Sequence, residues 1–265
     1  MPDLSRVSIG IKTFLRDDKL FNTIQAIRDT MPEVTMIIAD CGEHSDEKDG
    51  VYADLIKDGH KVIWLDFDAG FGAMSNAIAD ALDTSYLLIG SDDFDFRPSS
   101  VRVGIEDLVT VLDNTDIDVA SGRVRGAYEF YLEDLGDIII EHRLPPGILE
   151  DVWYVDCDLT VNFSLFKRYV FDKVRWDSEV KINGGEHGSQ FVDLKRNGFK
   201  VAWVPTVRIT EQEGEDSSRY LQYRSRGGKE RPCFEKRGIR KYVLGNGKID
   251  YEKKEVTDYP EPITR

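Results

Sequence analysis

The sequence is poor in cysteine, with three residues among 265, at Cys41, Cys157 and Cys233. Their spacing matches no metal-binding pattern, and an odd, sparse set is typical of reduced thiols, so we expect an intracellular, cytoplasmic protein. No apolar run reaches membrane-spanning length, and the opening segment MPDLSRVSIG enters a strand pattern without a basic and apolar leader. We therefore expect neither membrane insertion nor secretion by a classical signal.

The sequence also lacks the common glycine-rich phosphate motifs. No GxxxxGK segment occurs, which excludes a P-loop. Gly70 and Gly72 form a GxG, but a third glycine is missing at the required offset. A dinucleotide-binding fold therefore has little support.

Positive charge is in the minority, since 35 Lys and Arg residues face 49 Asp and Glu residues and the net charge is −14. This balance argues against a generic nucleic-acid binder. Residues 215–248 are the exception, because ten Lys and Arg against four Asp and Glu give +6. This basic segment is either a solvated tail that docks on an acidic body or a lid that meets phosphate groups.

Apolar strand patterns alternate with helical patterns in the first half of the chain. We expect strands at 7–11, 34–40, 61–67, 86–90 and 118–125, and helices at 17–30, 45–58, 72–83 and 98–112. Strands that are apolar on both faces and alternate with helices predict an α/β fold, a mostly parallel sheet with helices on both faces. Beyond residue 126 we expect a small antiparallel hairpin region at 127–144, further strands, a helix and a strand within 184–205, and a C-terminal basic tail with a flexible loop at 224–232.

Three carboxylates, Asp92, Asp93 and Asp95, directly follow the fourth expected strand, YLLIG. Ligands bind beyond the carboxyl ends of the strands of an open parallel sheet, and like charges this close need compensation. Mg²⁺ and Mn²⁺ prefer carboxylate oxygens and bridge to phosphates, so the cluster predicts a divalent cation. The alternative is an acidic surface loop that caps the following helix.

The other expected strand ends supply further polar groups and flexible backbone. The first ends near Thr13, the second at Asp40, and the third leads into the turn with Gly70 and Gly72, after which Asn76 lies in the first helical turn. The glycines allow either the close approach of a ligand or tight packing of the strand on the helix.

A second polar cluster is GGEHGSQF, where Glu186 and His187 open a helix behind two glycines. Either side chain can take a proton near neutral pH when its surroundings tune it, so the pair is a candidate general base. The alternative is a helix N-terminus that carries an exposed histidine.

Together these segments resemble the GT-A glycosyltransferases, in particular the family 2-like group, over residues 7–211. VSIGIKTFLRDDKLFNTI is similar to the opening strand, Thr-containing loop and first helix of that family, and Asp40 matches the acid that contacts the base and ribose of the donor. AGFGAMSNAI is similar to the glycine-and-Asn segment, with Ser75 where the family usually has Arg. YLLIGSDDF resembles the strand that carries the Asp-x-Asp motif, with Ser91 in place of the first Asp and Asp93 at the metal-binding second.

The resemblance continues in GGEHGSQFVDLKRNGFKVAWVP. Glu186 is retained, and His187 stands where the family's usual catalytic Asp lies, as in N-acetylgalactosaminyltransferase-like members. Glu211 follows the last core strand, where the family often supplies a His to the metal.

The resemblance implies an inverting, metal-dependent hexosyl- or pentosyltransferase that uses a nucleotide-sugar donor, UDP-type by preference, with Mn²⁺ or Mg²⁺. The implied site residues are Glu186 and His187 for catalysis, Asp93, Asp95 and Glu211 for the metal, and Thr13, Asp40, Gly70, Gly72, Asn76, Asp92, Arg224 and Arg226 for the donor. The implied organisation is a GT-A, Rossmann-like domain at 1–212, with a nucleotide-binding half (1–97) and an acceptor-side half (98–212), and a C-terminal lid or tail at 213–265.

Two other functions stay open. A nucleotidyltransferase also combines an acidic strand end with a metal, although IKTFLRDD lacks the glycine- and Lys/Arg-rich loop such enzymes carry. The substitution at Ser91 also permits a non-catalytic nucleotide-sugar binder. We expect a glycan or small-molecule acceptor, with a hydroxymethylated base in phage-type DNA as the alternative, because the basic tail could follow a phosphate backbone.

Overall fold

The structure is a computed structural model and describes residues 2–126, 129–144, 148–160, 163–181, 186–224, 230–244, 247–250 and 256–257. Across these ranges, none of the helices combines the length and apolar character that a bilayer crossing requires. The strands are β1 (Val7–Thr13), β2 (Thr35–Asp40), β3 (Lys61–Trp64), β4 (Tyr86–Ser91), β5 (Val119–Val124), β6 (Tyr131–Asp134), β7 (Ile138–His142), β8 (Val155–Cys157), β9 (Ser164–Lys167), β10 (Val201–Ile209), β11 (Lys241–Leu244), β12 (Gly247–Asp250) and β13 (Val256–Thr257). The helices are α1 (Asp17–Thr30), α2 (Asp46–Lys57), α3 (Phe71–Asp80), α4 (Ser99–Asn114), α5 (Glu186–Arg196), α6 (Ser218–Arg224) and α7 (Glu230–Glu235).

Eight strands form one large sheet in the order β3-β2-β1-β4-β9-β5-β10-β8. The first four are parallel, β10 is parallel to β5, and β9 and β8 run antiparallel to their neighbours. Every residue of β1 is buried, as its apolar pattern predicts for a central strand covered on both faces. The predicted mostly parallel α/β sheet is therefore confirmed.

Helices cover both faces of this sheet and create two apolar cores. Ile24 of α1 and Ile105 of α4 belong to the core on one face, and Ile78 of α3 and Phe191 of α5 belong to the other. The bounds of α1 coincide with the predicted helix, because its apolar residues recur at helical spacing and two acids, Asp17 and Asp18, occupy its first turn.

A second sheet has the order β13-β12-β11-β7-β6. Its β6–β7 hairpin turns at Gly136, whose φ of 100° favours glycine, as expected for this region. Strand β11 adds to β7 in parallel, so the C-terminal segment extends the hairpin.

The expectation of a C-terminal basic tail with a flexible loop at 224–232 is corrected in part. Arg224 ends α6 and Glu230 begins α7, whereas residues 225–229 lie outside the described part of the chain. The tail forms helices because it carries apolar side chains that become buried, among them Tyr220, Phe234 and Ile239.

Candidate functional site

The carboxyl ends of β1, β2 and β4 converge, as the sequence predicts. Thr13 is paired with Asp40 across β1 and β2, and Lys12 is paired with Ser91 across β1 and β4. The hydroxyl of Thr13 donates to Asp92 Oδ2 at 2.9 Å. Two residues predicted to contact the donor are thus in direct contact with one another.

A buried arginine neutralises the acidic end of β4. Arg16 Nη1 donates to Asp93 Oδ2 at 2.6 Å, and its Nη2 pairs with Asp92. The side chain of Arg16 is 5% exposed, and its guanidinium lies 4.5 Å from the ring centre of Tyr220. Arg16 is not among the site residues predicted from the sequence. The signal that could have identified it is a basic residue between the end of the first strand and the acidic start of α1.

The two carboxylates respond differently to this arginine. Burial raises the pKa of Asp92 to about 6, and the charge of Arg16 offsets only part of that effect. Burial also acts to raise the pKa of Asp93, but the charge of Arg16 and hydrogen bonds from Ser91 and Arg16 outweigh it, so this pKa is lowered. Asp93 is therefore the better anion of the pair.

The segment after β10 brings Glu211 to the same place. Phe94 and Glu211 form an isolated antiparallel bridge, and the backbone N–H of Gln212 donates to the carbonyl of Asp93 at 2.6 Å. Burial first, and the charge of Asp93 second, raise the pKa of Glu211. Two of the three predicted metal ligands are brought together.

The third predicted ligand is engaged elsewhere. The carboxylate of Asp95 accepts from Arg97 Nε at 2.7 Å and from Arg97 Nη2 at 2.9 Å. In the part of the chain that the structure describes, no group of three or more His, Cys, Asp and Glu side chains is placed to hold a metal ion. Asp93 and Glu211 nevertheless provide hard oxygen donors of the kind that Mn²⁺ and Mg²⁺ take up together with substrate phosphate.

A segment of the tail, 216–224, packs over these residues, and we refer to it as the α6 cover. Asp216 pairs with Lys19 at 2.9 Å and with Arg224 at 3.2 Å. The ring of Tyr223 packs edge-on against Phe14 with centroids 5.0 Å apart. The predicted donor residue Arg224 therefore lies in the α6 cover, while Arg226 lies outside the described residues.

A cleft of about 430 Å³ opens between this cover and the connections that follow β1 and β2. It is lined by the β1–α1 connection (15–19), the β2–α2 connection (43–45) and the tail (215–217 and Arg219). The charged residues of this lining are of both signs: Arg16, Lys19 and Arg219, together with Asp17, Asp18, Glu43, Glu215 and Asp216.

Asp40, the predicted base and ribose contact, is fully buried. Its carboxylate accepts from Tyr52 Oη at 2.7 Å and from the backbone N–H of Gly42 at 2.7 Å, and it pairs with Lys48 Nζ at 3.1 Å. Lys48 is itself fully buried and also pairs with Asp17 at 2.6 Å. In the structure both carboxylate oxygens of Asp40 contact protein groups, and they fix the β2–α2 connection.

The glycine-rich turn and Asn76 contact protein backbone. A Cβ on Gly72 would lie 1.9 Å from the carbonyl oxygen of Asp177, and one on Gly70 would lie 2.6 Å from that of Val180. Asn76 exchanges two hydrogen bonds with the backbone of Trp176. The structure therefore shows tight packing at this turn, the second of the two interpretations. The turn packs against residues 176–181 of the chain.

Glu186 and His187 begin α5, as the sequence predicts, while their side chains lie outside the described part of the structure. The next residue, Gly188, packs against the tail, because a Cβ there would lie 2.7 Å from the ring of Phe234. The start of α5 is therefore in contact with the C-terminal segment.

No protein-family model matches this chain. β-1,4 N-Acetylgalactosaminyltransferase 2 of Mus musculus is 32% identical over 219 residues, which cover 78% of this chain and 39% of the relative. β-1,4 N-Acetylgalactosaminyltransferase 1 of Homo sapiens is 36% identical over 119 residues, 45% of this chain and 20% of the relative. The chain thus spans well under half the length of these relatives.

Three solved structures share the fold at low sequence identity. GalNAc-T7 with UDP, GalNAc and Mn²⁺ has a TM-score of 0.60 at 14% identity, over 78% of this chain and 44% of that one. Mannosyltransferase PcManGT from Pyrobaculum calidifontis with GDP-Man and Mn²⁺ has a TM-score of 0.57 at 12% identity, over 83% and 60%. TarS 1–349 of S. aureus with UDP-GlcNAc has a TM-score of 0.54 at 11% identity, over 79% and 60%. The expected resemblance is confirmed: the chain has the GT-A fold and is related in sequence to glycosyltransferases.

Proposed function

We propose that the protein transfers a sugar from a nucleotide-sugar donor to an acceptor hydroxyl and inverts the anomeric centre. The observation that carries this proposal is the meeting of Asp93, Glu211 and Arg16 at the carboxyl ends of the central strands, beside a cleft of about 430 Å³. The sequence relatives support it because they are glycosyltransferases.

We infer that Asp93 and Glu211 hold a divalent cation, Mn²⁺ or Mg²⁺. Bound there, the cation would act as a Lewis acid that offsets the charge growing on the leaving diphosphate. The neighbours that contain Mn²⁺ together with a nucleotide or nucleotide sugar support this choice.

Other residues of the chain would bind the diphosphate and exclude water from it. Arg16 and Lys19 present positive charge to the diphosphate, and Tyr220 and Tyr223 of the α6 cover exclude water from it. Because Tyr220 packs on Arg16 and Tyr223 packs on Phe14, we propose that the α6 cover acts as the lid expected of the tail at 213–265. Its movement would admit the donor and release the product.

Glu186 or His187 would take the proton of the acceptor hydroxyl. The oxygen of that hydroxyl attacks the anomeric carbon as the bond from that carbon to the diphosphate oxygen breaks. The electron pair leaves with the nucleoside diphosphate, and a single displacement of this kind inverts the configuration.

We propose UDP-N-acetylgalactosamine as the donor to be tested first. The curated relatives are named as N-acetylgalactosaminyltransferases, and one neighbour contains UDP and GalNAc. The UDP preference expected from the sequence agrees with this choice.

We propose a glycan or small-molecule acceptor. Much of the positive charge of the tail is paired with the acidic body: Arg219 with Glu43, Lys236 with Glu179, Arg237 with Asp193 and Arg240 with Asp137. These pairs favour a tail docked on the body over one that follows a phosphate backbone, so the DNA acceptor gains no support from the described residues.

The test is release of UDP from UDP-N-acetylgalactosamine with Mn²⁺ and with EDTA, in the presence and absence of simple glycoside acceptors. We expect release of UDP that depends on Mn²⁺ and that acceptors accelerate. The variant that removes the general base, either Glu186→Gln or His187→Asn, should lose this release. Asp29→Asn, at an exposed position of α1 away from the cleft, is the control that should retain release. Tight donor binding without turnover under any condition would support the non-catalytic binder, and release of pyrophosphate from a nucleoside triphosphate would support the nucleotidyltransferase.

A further inference from the structure

Arg16 pairs with the carboxylate of Asp93, a predicted ligand of the metal ion. Its Nη1 lies 2.6 Å from Asp93 Oδ2, and its Nη2 pairs with Asp92. A divalent cation on the same carboxylate would stand beside the guanidinium in a site where Arg16 is 5% exposed and screening by water is weak. The two cations would repel, so a metal ion should bind Asp93 more tightly once Arg16 has left that carboxylate.

Release of Arg16 needs another anion. A buried guanidinium left without a counter-charge is strongly unfavourable. Its Nε has no hydrogen-bond partner among the residues that the structure describes, and Asp216 is 3.8 Å from its Nη1. The cleft of about 430 Å³ borders Arg16 and Lys19, so a diphosphate bound in this cleft would lie within reach of the freed group.

We propose that Arg16 is a resident counter-cation that couples metal binding to nucleotide binding. The inference rests on the proposed function and deepens it, since it assigns a regulatory role within the same site. Without a nucleotide diphosphate, Arg16 stays on Asp93 and opposes the metal ion. With the diphosphate present, the guanidinium turns to the phosphate oxygens, for which its planar fork is well suited, and Asp93 is released to the metal ion.

The α6 cover takes part in the same exchange. Tyr220 lies over the guanidinium at 4.5 Å, and Asp216 contacts both Arg16 and Lys19. Movement of Arg16 therefore removes contacts that hold the cover down. Binding of the metal ion, binding of the diphosphate and movement of the α6 cover should therefore be coupled.

The experiment measures Mn²⁺ binding by electron paramagnetic resonance of the free ion, with and without saturating UDP. In the wild-type protein we expect weak binding that UDP tightens by about tenfold or more. In Arg16→Gln we expect binding of Mn²⁺ alone to be about tenfold tighter than in the wild type, and the effect of UDP to fall below about threefold. Arg28→Gln removes an arginine of the adjoining helix α1 that pairs with Asp58, and should leave both values unchanged.

Arg16→Lys serves if Arg16→Gln fails to fold, as judged by circular dichroism. Lysine keeps one charge but does not present the planar fork that pairs with both carboxylates, so the affinity for Mn²⁺ alone should exceed the wild-type value. Unchanged Mn²⁺ affinity and unchanged coupling in the folded variant would overturn the proposal, as would absence of Mn²⁺ binding in all proteins. Failure of UDP to bind any of them would instead defeat the proposed function, while the effect of Arg16 on Mn²⁺ alone would still be decided.

Discussion

The side-chain amide of Asn76 forms a closed pair of hydrogen bonds with the backbone of Trp176. Asn76 Nδ2 donates to the carbonyl of Trp176 at 2.9 Å, and the N–H of Trp176 donates to Asn76 Oδ1 at 2.9 Å. The pair ties the first half of α3 to a segment 100 residues further along the chain. This amide was expected to contact the donor, and its geometry instead supports a structural role.

Replacement of Asn76 by Ala should destabilise the fold by about 1–3 kcal/mol, because the backbone groups of Trp176 lose their partners. The affinity for UDP should not change. Chemical denaturation and UDP titration would measure the two effects, with Asn114→Ala, at an exposed helix end, as the control. A loss of UDP affinity at unchanged stability would instead favour the donor contact.

The turn at Gly72 should not tolerate a methyl group. A Cβ there would lie 1.9 Å from the carbonyl oxygen of Asp177, so Gly72→Ala should cost about 3 kcal/mol or more in stability through overpacking. A Cβ on Gly50 in α2 would meet no atom within 4 Å, and Gly50→Ala should stabilise the helix by about 0.5–1 kcal/mol. Thermal melts of the two variants would measure these changes. Equally small changes in stability in both variants would contradict tight packing at Gly72.

Removal of each carboxylate in turn should show which of the three predicted metal ligands contributes to activity. Asp93→Asn and Glu211→Gln should each lower kcat/KM for the nucleotide sugar by about 10- to 100-fold or more, because each removes an oxygen donor at the shared position. Asp95→Asn should change it by less than about threefold, since that carboxylate pairs with Arg97 near the surface. Steady-state kinetics over a range of Mn²⁺ concentrations would test this order. Equal losses in all three variants would restore Asp95 as a ligand.

Stability should fall as the pH drops through the normal titration range of His60. Burial lowers the pKa of this histidine, and its Nδ1 accepts from the backbone N–H of Met36 at 3.2 Å. Below about pH 6.5 the unfolded chain takes up a proton that the folded chain binds more weakly, so acidification favours unfolding. In His60→Gln the free energy of unfolding, measured by urea titration between pH 7.5 and about 5, should depend less on pH. An unchanged slope would exclude the histidine as its source.

Local patterns determined much of the architecture before any contact was known. Helix α1 has the predicted bounds, and the strands near residues 7, 35, 61, 86 and 119 lie where apolar runs alternate with helical periodicity. Both signals depend on residues a few positions apart, so they can be read from the chain itself. The acidic end of β4 was identified in the same way, because a charge cluster directly after an apolar strand is a local feature.

The expectation that Glu211 acts together with Asp93 came from the resemblance to known glycosyltransferases. The pattern of residues alone does not predict that these two positions meet. The two positions are distant in sequence and meet through the Phe94–Glu211 bridge. The order and spacing of motifs predict such a contact only when the fold of proteins with the same motifs is already known.

By itself, then, the sequence determined the α/β alternation, the acidic strand end and the start of α5 at Glu186. Tertiary structure alone decided what those groups touch: Arg16 on Asp92 and Asp93, Tyr220 over Arg16, and Lys48 on Asp40. A charge in the sequence has no assigned partner, because pairing depends on which distant segments are brought within about 4 Å and are shielded from water together. The fold sets both conditions.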